Sequence, residues 1–105
     1  MATREIRKIV KKFTLALKRE KFPSFRVMVF GSYARGEAGK DSDIDICLIS
    51  KEFKRNRERY RRKATIIAYG IDPRIQVIAV DPSLIKSDHL SPLYSQIRKE
   101  GVIVS

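Results

Sequence analysis

Seven consecutive residues, Asp43 to Ile49, constrain this chain more than any other stretch. In "DIDICLI" the residues Ile44, Ile46 and Leu48 alternate with Asp43, Asp45 and Cys47, the two-residue period that sends successive side chains of a β-strand to opposite faces. One face demands an apolar core, and the other must tolerate two neighbouring carboxylates. Side chains at i and i+2 of a strand start ~7 Å apart, and their carboxylates can converge to ~5 Å. At an effective dielectric near 20 that repulsion costs ~3 kcal/mol. The pair therefore takes up a proton, faces open water or holds a cation. Hard oxygen donors with no histidine or cysteine alongside favour Mg²⁺ or Mn²⁺, which use one or two carboxylates and complete their shell with water and substrate phosphates.

The segment before the pair offers a phosphate grip. "RVMVF", Arg26 to Phe30, reads as a buried strand running into Gly31. A glycine there lets the backbone approach a ligand, and Ser32 supplies a hydroxyl and an amide at the start of a turn, where exposed amides attract anions. Arg35 and Lys40 add positive charge on the same loop. Gly31 to Gly36 has the spacing of a Walker A loop, but Glu37 and Ala38 stand where lysine and serine or threonine are required, so that motif is excluded. Gly36 and Gly39 match the letters of a KH loop without the helices that flank one.

Around this frame the pattern predicts an amphipathic helix from Thr3 to about Glu20, with Ile6, Ile9, Val10, Phe13 and Leu17 on one stripe and Pro23 ending it. A second helix is expected from roughly Glu52 to Tyr69, with Phe53, Tyr60, Ala64, Ile67 and Ala68 inward and Gly70 as its stop. A third strand is expected from Arg74 to Val80. Asp81-Pro82 and Ser91-Pro92 read as a helix cap followed by proline, the second opening a helix to Glu100 that closes at Gly101, and Val102 to Val104 adds a last short strand. The expected fold is α/β (α+β), a small mixed sheet of three to four strands flanked by helices. With 105 residues, no repeat and no linker, 1–105 reads as a single domain.

Composition bears on partners and setting. The formal net charge is +11, from 23 Lys plus Arg against 12 Asp plus Glu, which calls for phosphates or an acidic surface nearby. Lys51 to Lys63, "KEFKRNRERYRRK", is a dense basic run; a solvated helix face is the ordinary reading of such a run. No apolar run approaches a membrane span, and "MATREIRKIVKK" is too charged for a secretory signal. A cytoplasmic protein without membrane contact is expected. Cys47 is the single cysteine, which rules out an internal disulfide.

Taken together, "GSYARGEAGKDSDID" resembles the Gly-Ser…Asp-x-Asp signature of the DNA polymerase β-like nucleotidyltransferase superfamily, and the chain's size is similar to its minimal nucleotidyltransferases, the MNT group. The leading helix, the basic helix and the closing "LYSQIRKEGVIV" extend the likeness over nearly the whole chain. The resemblance implies transfer of NMP from an NTP, in the first place AMP from ATP, with release of pyrophosphate. By position, Gly31 and Ser32 would hold the triphosphate, Asp43 and Asp45 would be catalytic and ligate Mg²⁺ or Mn²⁺, and Arg35 and Ser42 would support the phosphates. It further implies an all-helical HEPN-type protein partner, for which such chains act as antitoxin by adenylylating it. RNA and a second copy of the chain are further candidate partners.

One position departs from that pattern. The family carries a third carboxylate on a neighbouring strand, and Gln76 of "IQVIAV" aligns with it. An amide accepts a metal contact but brings no charge and cannot act as a general base. The alternative function is thus a catalytically weakened module of the same fold that binds a partner protein or RNA. Asp72 and Asp81, each before a proline, read as turn residues rather than replacements. His89 reads as a surface residue and Cys47 as small core packing. Tyr33 stands on the glycine loop, and Tyr60 and Tyr94 read as partly buried anchors.

Overall fold

The computed structural model describes residues 4–30, 43–82 and 102–103. Helix α1 (Arg4–Arg19) leads to strand β1 (Arg26–Phe30), then β2 (Ile44–Ile49), a 3-10 turn (Lys51–Lys54), helix α2 (Arg57–Ile71), β3 (Ile75–Val80) and β4 (Val102–Ile103). The strands form one mixed sheet in the order β3-β2-β1-β4. β1 runs antiparallel to β2 and β4, whereas β2 and β3 are parallel. A parallel pair requires a crossover, and α2 supplies it.

α1 forms because Ile6, Val10, Phe13 and Leu17 repeat at three- and four-residue steps, and all four are buried. Thr14 shares their face by returning its hydroxyl to the Val10 carbonyl at 2.8 Å. The helix closes before Pro23. The amide of Phe22 donates to the Leu17 carbonyl and that of Lys21 to Lys18, both at 3.1 Å, with Lys21 in the left-handed region at φ 58. This is the Schellman closure, which glycine ordinarily serves.

Both helices pack on one face of the sheet. Their buried residues join Val27, Val29, Ile44, Ile46, Leu48, Ile75, Val77 and Ala79 in the main core. Contacts at the two ends set the helices antiparallel: Arg74, just past α2, reaches Glu5 of α1 at 3.3 Å, and Lys63 of α2 lies 3.5 Å from the carbonyl of Glu20. Between the first helix and the 3-10 turn, Phe22 packs edge-on against Phe25 and Tyr60 at 6.1 and 5.5 Å, while Phe53 tilts against Tyr60 at 5.4 Å. Tyr60 is the half-buried anchor expected of it. The other sheet face carries a smaller apolar group of Phe30, Cys47 and Val80, edged by Met28, Ile49 and Ile78.

Two expected boundaries change. The basic run does not open a helix at Glu52. Ser50 caps a 3-10 turn by accepting from the amide of Glu52 and donating to the carbonyl of Ser24 at 2.7 Å, and Asn56 then adopts φ 59 before α2 starts at Arg57. Asparagine tolerates that conformation, so it breaks the two segments apart. Nor does Gly70 stop α2, which continues through it to Ile71. Asp72 ends the helix: its amide closes on Ala68, while its carboxylate takes the amide of Arg74 at 2.9 Å ahead of β3. Pro82 lies in helical conformation after Asp81, in keeping with a capped start there. The helix expected at Pro92 to Glu100, with Tyr94, lies outside the described residues, as does His89. Among the described residues no helix is long and apolar enough to cross a membrane.

Candidate active site

The site is built at the edge where β1 ends and β2 and β3 begin. Phe30 is paired with Asp45 across the antiparallel ladder, and Asp45 with Gln76 across the parallel one, so the three form a single row across the sheet. All three side chains belong to the face away from α1 and α2, because the alternate positions Val29, Ile44, Ile46, Ile75 and Val77 fill the main core. Asp45 is half-buried in this row between buried Phe30 and exposed Gln76. Asp43 precedes β2 by one residue and is exposed, a small correction to the expectation that the strand starts there.

The register places only the two residues that flank the glycine loop, Phe30 and Asp43. Gly31 is bonded to Phe30, the pairing partner of Asp45, and the loop re-enters β2 through Asp43. The ends of the loop and the aspartates thus share one corner of the sheet. Gly31, Ser32, Arg35 and Ser42 themselves, with Tyr33 and Lys40, lie outside the described residues.

The donor set fits a hard divalent ion. Asp43 and Asp45 offer oxygen donors on an edge with one exposed side, and Gln76 adds an amide oxygen within one strand spacing, ~4.8 Å between neighbouring strands. Soft donors do not compete. Cys47 shares the face of Asp45 but is fully buried, and burial pushes its thiol up to about 12, so it remains protonated and packs as an apolar residue, as its sequence context suggested. Among the described residues no group of three or more His, Cys, Asp or Glu side chains is placed to hold a metal. The register gives the reason at the position beside Asp45: the residue there is Gln76.

The remaining acidic candidates are accounted for. Asp72 is held well below the usual carboxylate range, first by hydrogen bonds from the Arg74 side chain and then by the Arg74 amide, which makes it the turn residue its place before Pro73 implied. A cavity of about 870 Å³, lined by Phe25, Arg26, Met28, Ile49 and Lys51 among others, opens at the far end of the sheet. Arg26 pairs with Ile49 there, four ladder steps from the Phe30–Asp45 pair, so this cavity is separate from the carboxylate corner.

A mixed sheet backed by a helix pair, with Asp43 and Asp45 at the corner where β1 ends and β2 begins, defines an α/β domain. The model of the nucleotidyltransferase domain family matches residues 4–104. The chain belongs to that family, and within it to the minimal nucleotidyltransferases of the polymerase β-like superfamily. It is 29% identical over 79 residues to a candidate protein adenylyltransferase of Methanocaldococcus jannaschii, covering 75% of this chain and 77% of the relative. In three dimensions it resembles a crystal structure described as a nucleotidyltransferase of Sulfolobus solfataricus, with a TM-score of 0.63, 24% identity, and 94% and 78% of the two chains covered. A chain of a toxin-antitoxin structure with AMP-PNP aligns with a TM-score of 0.62 and 21% identity over 90% and 72%. These two likenesses speak for the fold, and the expected α/β class is the observed one.

Proposed function

We propose that this nucleotidyltransferase moves AMP from ATP to a hydroxyl on a partner protein. In that reaction the acceptor oxygen forms a bond to the α-phosphorus, the bond from that phosphorus to the bridging oxygen breaks, and pyrophosphate leaves. The observation that carries the reading is the register: Phe30, which delivers the chain to Gly31, is paired with Asp45, so the glycine loop begins one residue from the partner of the proposed metal ligand. The name of the Methanocaldococcus relative, a protein adenylyltransferase, favours a protein acceptor. The toxin-antitoxin neighbour favours an antitoxin role; an all-helical, HEPN-type partner is what the sequence resemblance implies.

Each residue has a part in this reading. Gly31 and Ser32 bind the triphosphate through backbone amides and the hydroxyl, and Arg35 and Ser42 steady its oxygens. Asp43 and Asp45 hold Mg²⁺ or Mn²⁺, which when bound neutralises charge on the transferring phosphate. Asp45, half-buried between Phe30 and Gln76, is the more fixed of the two; Asp43 is open to the incoming nucleotide. Positioning and electrostatic stabilisation are most of what the transfer requires.

A second reading has its own observation. Gln76 stands beside Asp45 with no charge to offer, which suits a module that retains nucleotide or partner binding while turning over slowly. Incubation of the protein with α-labelled ATP and its cognate partner separates the two. Label on the partner that is lost in Asp45→Asn supports transfer; stable complex formation with no label supports the binding module.

A further inference from the structure

The positive charge of this molecule is concentrated in one layer. α1 holds seven basic residues against Glu5, and α2 holds five against Glu58, so the two helices carry a net +10 of the chain's formal net charge of +11. All other residues together are close to neutral. Both acids in the layer are already held by arginines, Glu5 by Arg74 at 3.3 Å and Glu58 by Arg61 at 2.7 Å. An ion-pair network of the thermostable kind would interleave the two signs, and this surface does not. Because α1 and α2 pack side by side on the core face of the sheet, their exposed basic residues lie in one layer, on the side of the sheet opposite the Asp45 face.

We infer that this two-helix surface binds single-stranded nucleic acid through its phosphodiester backbone. Along α1 the exposed residues Arg4, Lys8 and Lys11 recur every three to four positions, which sets those cations ~5–6 Å apart; Lys12 lies beside Lys11, and past Leu15 the same line reaches Lys18, ~21 Å from Arg4. Protein interfaces are depleted in lysine at their centres, so a face so rich in it fits a phosphate chain better than an acidic protein. On α2, Tyr69 is 72% exposed and Ile66 is 75% exposed, one helical turn apart, at the end of the layer where α1 begins. An exposed aromatic ring bordering a cationic track is the arrangement on which unpaired bases stack; a duplex keeps its bases out of reach. The surface is independent of the carboxylate corner and goes beyond the proposed transfer reaction.

Fluorescence anisotropy with a labelled 20-nucleotide U-rich RNA, its DNA counterpart and a matched duplex tests the inference. Both single strands are expected to bind within a few-fold of each other. With about five phosphates neutralised, affinity should fall about a hundredfold from 50 to 200 mM salt. The triple change Lys8→Glu, Lys11→Glu and Lys12→Glu, all on exposed positions, should lose at least tenfold, and Tyr69→Ala about fivefold. Asp43→Asn with Asp45→Asn should bind as the native chain does. No binding at 100 mM salt, a preference for the duplex, or displacement by polyglutamate as effective as by unlabelled RNA would overturn it. Circular dichroism checks that the triple variant folds; should it not, the salt slope of the native chain and the Tyr69→Ala result decide.

Discussion

Asp45 of β2 and Gln76 of β3 are paired residues of adjacent parallel strands, and both project from the sheet face opposite α1 and α2. The carboxylate therefore has an uncharged amide as its cross-strand neighbour, and under the proposed function that pairing sets how strongly the corner would hold a cation.

Replacing the amide by a carboxylate should strengthen the cation site. Gln76→Asp, at an exposed position, is expected to raise Mn²⁺ affinity roughly tenfold by adding one charged ligand, as read by calorimetric titration without nucleotide. An affinity identical to that of the native chain would show that residue 76 does not face the ion.

The Asp72 turn should make stability depend on acid pH. Arg74 lowers the Asp72 carboxyl from its ordinary value of 3.8, so the folded state binds that proton less readily than the unfolded one. The stabilisation is complete above that value and is lost as pH falls through the folded-state value. With side chains only 15% and 26% exposed, the pair escapes most solvent screening. Asp72→Asn should cost roughly 1–2 kcal/mol at pH 7 in urea unfolding, and the gap to the native protein should narrow below about pH 4. A gap unchanged down to pH 3 would remove Arg74 as its source.

The end of α1 offers a stabilising change. Lys21 occupies φ 58 at a closure that glycine serves without strain. Lys21→Gly should raise stability by about 0.5–1 kcal/mol, visible as a higher urea midpoint with an unchanged slope. A lower midpoint would indicate that Lys21 makes contacts worth more than its backbone strain.

Much of this architecture is written in period and punctuation. The stripe of Ile6, Val10, Phe13 and Leu17 and the alternation from Ile44 to Leu48 each need a buried face, and the structure supplies one for both. The break between Lys54 and Arg57 was hidden because the basic residues there are good helix formers. What separates the segments is the left-handed Asn56 and the Ser50 cap, whose hydroxyl is held by the Ser24 carbonyl from a distant part of the chain. Gly70 misled for a related reason: an exposed glycine with nothing near its missing side chain can stay in a helix that packing holds, and Asp72 with Pro73 ends it instead. At the site, Asp45 and Gln76 were legible as residues, but their pairing was not, because strand register is set by which apolar faces share the core. The excess of charge on each helix is countable in the sequence, whereas their antiparallel placement rests on the contacts at their ends.

The most direct measurement is calorimetry of MgATP binding to the native chain and to the double variant Asp43→Asn, Asp45→Asn. The account predicts binding that requires the divalent ion and weakens at least tenfold in the variant. Binding of equal strength in both proteins, or binding indifferent to Mg²⁺, would contradict the placement of the site at this corner of the sheet.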